Sequence, residues 1–136
     1  MIQFRLIHTM VRNLHCHELP AGESTQDTLN YSPIFDPSRP REFAVLFELK
    51  VPLASASQLD LDFLAIFETL EDITEEFRLS HFPRINAPAV AYPYIRAFVS
   101  QFAVLAGFDP CTLPIRNFTL GSPPATVAPA QLTDKP

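Results

Sequence analysis

The stretch Asn86-Ala-Pro-Ala-Val-Ala-Tyr92-Pro-Tyr-Ile-Arg96-Ala-Phe-Val-Ser-Gln-Phe102-Ala-Val-Leu-Ala-Gly107-Phe is the only long helix candidate in the chain, and its reading decides the fold. Asn86 is placed to cap the free amides of a first turn, and Pro88 sits where a missing amide costs nothing. Gly107 followed by Pro110 supplies a left-handed stop and a barrier to continuation. Pro93 removes a hydrogen bond from the middle, so the expectation is a helix that bends there or starts close to it. Val90, Tyr94, Ile95, Phe98, Val99, Phe102, Leu105 and Ala106 cover well over half of the helical circumference, whereas an ordinary surface helix buries one stripe. That surplus predicts contact with more than one layer, and hence an oligomer. Arg96 at mid-helix and the two prolines argue against a membrane span.

Upstream, the periodicity changes from helical to alternating. Phe4, Leu6, His8 and Met10 alternate with Arg5, Ile7, Thr9 and Val11, which predicts a strand with something on each side. Leu19 to Asp27 is small and polar, a surface connection. Leu29 to Phe35 is a weaker strand candidate that Pro33 confines to an edge, and Asp36 to Arg41 reads as a turn. Glu42 to Val51 places Phe43, Val45, Phe47, Leu49 and Val51 on one face. Leu59 to Phe67 repeats the pattern, with Asp60 and Asp62 on the polar side. Short turns between consecutive strands favour an antiparallel meander, and strands followed by one helix give an α+β domain. Thr74 is expected to cap a short helix running through Phe82, with Glu75 and Glu76 in its first turn. Glu68, Glu71, Asp72, Glu75 and Glu76 read as a solvated acidic face, the alternative being a docking patch for a basic partner. The expected domain is 1–118, with 119–136 a flexible proline-rich tail that has too little apolar surface to offset its ordering entropy.

Composition narrows the function classes. One domain of 136 residues can bury a real core, and a formal charge of -5 excludes nonspecific attraction to nucleic acid or anionic membrane. The start of the chain lacks a basic region followed by an apolar run, so no signal peptide is expected. Two cysteines, Cys16 and Cys111, are too few for a disulfide framework, which fits a reduced cytoplasmic setting. Twelve phenylalanines with no tryptophan give flexible apolar contact surface.

No enzyme motif emerges. On a strand, His15 and His17 share one face and Cys16 takes the other, so the three do not converge on a metal without a bend. His8, His81 and Cys111 are the remaining candidates to complete such a site, and no metal or cofactor is expected. Cys111 lacks a basic neighbour or helix N-terminus to activate it and reads as a packed thiol. Asp60, Asp62 and Glu68 offer no acid and base pair, because water on the polar side of the strand keeps Asp60 and Asp62 ionised. Three glycines spread over the chain form no phosphate-cradling loop.

Three motifs in order resemble the SecB family of export chaperones and their SecB-like relatives. They are Ala65-Ile66-Phe67 at a strand end, Asn86-Ala-Pro followed by Tyr92-Pro93-Tyr94-Ile95-Arg96, and the exit Gly107-Phe-Asp-Pro110-Cys-Thr-Leu113-Pro-Ile-Arg-Asn117-Phe118. The resemblance implies a four-stranded antiparallel sheet with one long C-terminal helix packed on it, assembled as a dimer of dimers. It also implies an ATP-independent holdase for non-native polypeptides. Relative to SecB proper, the chain lacks a second helix after the Asn-Phe exit. It carries Asn13 and His17 where the family presents acids to the SecA motor, which weakens that docking; Asp60 and Asp62 keep part of an acidic edge. These departures resemble more closely the SecB-like chaperones of toxin-antitoxin-chaperone systems, which hold an antitoxin. The reading is therefore a dedicated holdase, with a general export chaperone as the alternative and a metal-binding protein or small enzyme behind both. Leu29, Tyr31, Ile34, Phe35, Leu61 and Phe63 are the expected client contacts, and Tyr94, Phe98, Phe102 and Leu105 the expected subunit contacts.

Overall fold

The structure, a computed structural model, describes residues 3–118; the tail expected over 119–136 lies outside the described residues. Four strands, β1 (Phe4–Glu18), β2 (Thr28–Phe35), β3 (Glu42–Ala54) and β4 (Ser57–Thr69), form one antiparallel sheet in the order β1-β4-β3-β2. A short helix α1 (Glu75–Arg78), a π-helical turn (Phe82–Asn86) and the long helix α2 (Ala87–Leu105) follow. This is the α+β architecture expected from the sequence.

The sheet is built on the period-two strands. Phe43, Val45, Phe47, Leu49 and Val51 of β3 are paired directly with Phe67, Ala65, Phe63, Leu61 and Leu59 of β4, and all ten are buried. Directly opposed residues share a face, so the two runs form one continuous apolar surface. α2 covers it with Ala87, Ala91, Tyr92, Ile95, Val99 and Ala103, a single stripe at helical spacing. Three of these six are alanines with no exposed surface, which brings the helix backbone close to the sheet. Ile95 and Val99 are equally enclosed, and each such burial contributes about 1.5–3 kcal/mol. At the end of the sheet where β1 begins, Phe4 makes edge contacts with Phe43, Phe67, Phe77 and Phe82, closing the core under α1.

Local chemistry sets the element ends, with some departures from expectation. The Asp36 carboxylate accepts from the Ser38 amide and hydroxyl, fixing the turn between β2 and β3. The Thr74 hydroxyl accepts from the Phe77 amide and caps α1, but that helix stops at Arg78 and not at Phe82. Asn86 makes no side-chain cap: its backbone is already helical, at φ -72 and ψ -45, because the π-helical turn delivers the chain into α2. α2 runs through Pro93 without a late start. Pro93 and Ala89 both lie on the exposed side, so the Ala89 carbonyl that loses its donor is open to water. Gly107, at φ +97, closes the helix as expected. Its amide donates to the Val104 carbonyl and the Phe108 amide to the Ala103 carbonyl, the Schellman arrangement.

β1 is the larger correction. Among the described residues it is an edge strand paired only with β4, and extra residues at Ile7 and Arg12 shift its register twice. Each bulge reverses which side chains face which way. Phe4 and Leu6 therefore point to the helix side, whereas His8 and Met10 lie opposite Ile66 and Leu64 on the other side. A strand sandwiched on both faces does not result; most of β1 is exposed.

Replacing Ile95 by Ala is expected to cost about 2–5 kcal/mol in denaturant unfolding at fixed protein concentration. A loss below about 1 kcal/mol would show that the site collapses around the deletion and that the helix does not depend on this contact.

Candidate functional site

Among the described residues, three apolar surfaces remain uncovered. The first is a second stripe on α2, formed by Val90, Tyr94, Phe98, Phe102 and Leu105 at spacings of three and four residues. Tyr94 is 54% and Leu105 84% exposed, whereas Phe98 and Phe102 are half-buried and stack on each other at 6.1 Å. Phe98 also packs on Phe63 at 6.2 Å, so this stripe is anchored to the core at its centre and open at its ends. All four expected subunit-contact residues lie on it.

The second is β1. Its outer edge pairs with nothing among the described residues, and Ile7, Met10, Val11 and Leu14 are 36–41% exposed along it. A long edge carrying apolar side chains is a template for pairing with another chain. Sequence reading missed it because the alternation looked the same on both faces and the strand order was not legible.

The third lies at the opposite edge, on β2. Ile34 is exposed, and Tyr31 and Phe35 are half-buried. Ile34 joins Ala44, Leu64 and Ile66 in a depression of about 400 Å³ on the sheet face away from α2, rimmed by Arg12, Arg39, Asp36 and Glu42. Phe35 stacks against Phe43 and carries the Arg78 guanidinium 4.6 Å above its ring. The other three expected client contacts are core residues. Leu29, Leu61 and Phe63 are 5%, 1% and 4% exposed, because the apolar face of a period-two strand is the face the helix covers.

The segment after Gly107 turns back along α2 and packs against the middle of β2 at Tyr31. Tyr92 donates its hydroxyl proton to the Pro114 carbonyl at 2.7 Å, and Arg96 Nε donates to the Leu113 carbonyl at 3.0 Å. Leu113 and Phe118 are buried, and Phe118 meets Tyr31 and Tyr92 edge-on at 5.3 and 5.5 Å. The Tyr-Pro-Tyr-Ile-Arg and Leu-Pro-Ile-Arg-Asn-Phe motifs are thus two halves of one clasp. Burial pushes the Tyr31 phenol up to about 12, against a smaller opposing pull from Arg116, and burial raises Tyr92 as well. It also raises the Cys111 thiol, which fits a packed residue better than a nucleophile.

On the face away from α2, Asp60 and Asp62 do not form a free acidic edge. Asp60 is held by Lys50 Nζ at 3.3 Å and His17 Nε2 at 3.1 Å. Asp62, expected to be fully solvated, is partly buried; burial raises its pKa, and a hydrogen bond from Asn13 opposes that rise. The clustered acids further along are also engaged, Glu68 with Arg5, Asp72 with Arg41 and Glu75 with Arg78.

No family model and no curated protein sequence matches the chain. Among solved structures, the fold is similar to a SecB-like chaperone from Mycobacterium tuberculosis in complex with a peptide from an antitoxin. The TM-score is 0.62 at 22% identity, over 84% of this chain and 90% of that one. It is also similar to a protein of unknown function from Streptococcus agalactiae, with a TM-score of 0.57 at 7% identity over 85% and 99% of the two chains. The fold is therefore the SecB-like one that the motifs implied.

The buried tyrosines make a pH prediction. Tyr31 titrates near 10 when unfolded and near 12 when folded, so the unfolded chain loses its proton first. The Tyr31 contribution to stability is expected to be level below pH of about 10 and to fall from there towards about 12. Denaturant midpoints for the wild type and Tyr31→Phe check it: the variant's decline should be shallower, and identical slopes would contradict the assignment.

Proposed function

We propose that this chain is a SecB-like holdase chaperone that binds a dedicated non-native polypeptide, a client of the antitoxin kind, without nucleotide. The observation that carries the reading is the amount of apolar surface the fold leaves uncovered: the second stripe of α2 and two sheet edges with exposed side chains. Copies of the chain pack along Tyr94, Phe98, Phe102 and Leu105 into a dimer of dimers. The client runs along the β2 edge, meeting Tyr31 and Phe35 on the helix side and Ile34 and the depression on the opposite face. Phenylalanine side chains adapt to varied partners, and each buried client residue contributes roughly 1.5–3 kcal/mol, so several weak anchors suffice without a unique pocket. The antitoxin peptide held by the mycobacterial neighbour supports a polypeptide client of that class.

Delivery of preproteins to SecA is the less supported alternative, because Asp60 and Asp62 are occupied by partners of their own chain. Among the described residues no helix is long and apolar enough to cross a membrane, and both cysteines are unpaired, which fits the proposed cytoplasmic setting.

Holdase activity is tested by diluting a urea-unfolded client into buffer with and without the chain. Equimolar chain is expected to suppress light scattering with no ATP added; scattering that proceeds unchanged, or suppression only with ATP, would overturn the proposal. The assembly has its own test. Phe98→Ala with Phe102→Ala is expected to lower the mass measured by static light scattering at low micromolar concentration, and an unchanged mass would remove α2 as the seam.

A further inference from the structure

The face of the sheet away from α2 brings together three side chains from two strands. His15 pairs directly with Asp60 across β1 and β4, and His17 follows two residues on, so the bulge at Arg12 leaves both imidazoles on the side that carries Asp60. The two rings lie 4.2 Å apart and nearly parallel, at 13°. His17 Nε2 is already 3.1 Å from Asp60 Oδ2, and one donor atom from each residue lies within 4.8 Å of the other two. Cys16 points to the opposite face and takes no part, and neither His8, His81 nor Cys111 is in the cluster.

We propose that His15, His17 and Asp60 bind one first-row divalent cation of the zinc class. Two imidazoles and one carboxylate are the donors such ions take, and bonds of about 2.0–2.1 Å in tetrahedral geometry put donor atoms about 3.3 Å apart. Side-chain torsions close the remaining gap, because the backbone beneath is held by the β1–β4 ladder and needs no movement. Lys50 Nζ sits on the other oxygen of Asp60 at 3.3 Å. Its charge opposes the cation, yet it also orients the carboxylate so that Oδ2 remains aimed at His17. Asp62 and Glu48, paired with each other across β3 and β4 beside Lys50 and Asp60, offset that charge. Three protein donors leave at least one position for water or an outside donor, so this is an open site and not a closed structural one.

The test uses the full chain with no affinity tag and zinc chloride as the probe, read by calorimetry, with Co²⁺ absorption as a second measurement. Wild type is expected to bind one Zn²⁺ per chain, and the Co²⁺ form to show the visible bands of a low-coordinate nitrogen and oxygen site. His15→Ala with His17→Ala should abolish binding with circular dichroism unchanged. Since removing a group that only orients a ligand costs 10–100-fold in affinity, Asp60→Asn is expected to cost at least roughly tenfold. His8→Ala should bind as wild type does. No binding by wild type, or binding that survives the double histidine variant, would overturn the site.

Discussion

The structure depends on the packing of one stripe of α2 against one face of the sheet. Ala87, Ala91, Ile95, Val99 and Ala103 are wholly enclosed there, and the small side chains set how close the helix can approach. The next stripe round the helix lies beyond that contact, and among the described residues no second layer covers it. Phe98 and Phe102 reach halfway back towards the core, while Tyr94 and Leu105 do not. β1 and β2 are the terminal strands of the four-stranded sheet, and among the described residues no further strand pairs with their outer edges. Incomplete self-coverage is thus a consequence of the architecture, and it is what a polypeptide-binding scaffold requires.

The clasp between α2 and the exit segment has a second consequence. Tyr92 and Arg96 satisfy the Pro114 and Leu113 carbonyls, and Phe118 then covers Tyr31. The edge where the client is proposed to lie is therefore held by the helix that also forms the proposed seam. The two surfaces are thus joined by a short chain of hydrogen bonds and ring contacts.

Much of this was legible in the sequence, for identifiable reasons. The alternation over Glu42–Val51 and Leu59–Phe67 specified two strands and the face that is buried, and Gly107 with Pro110 marked the helix end because a left-handed backbone favours glycine. Other features depend on pairing partners that periodicity does not encode. The bulges at Ile7 and Arg12 reversed the faces of β1, and the placement of β1 beside β4 brought Asp60 to His15 and His17 across 43 residues of chain. Leu29, Leu61 and Phe63 looked like client contacts because apolar strand residues read alike whether a helix or a partner covers them. Asn86 has the side chain of a cap but a backbone already in helix, a distinction set by the π-helical turn before it.

Hydrogen–deuterium exchange of the assembled chain, with and without an unfolded client peptide, tests the division between seam and client surface most directly. The account predicts that amides of 94–105 are already protected in the free protein and do not change, and that the client adds protection over 28–36. Protection by the client over 94–105, with 28–36 unaltered, would contradict it.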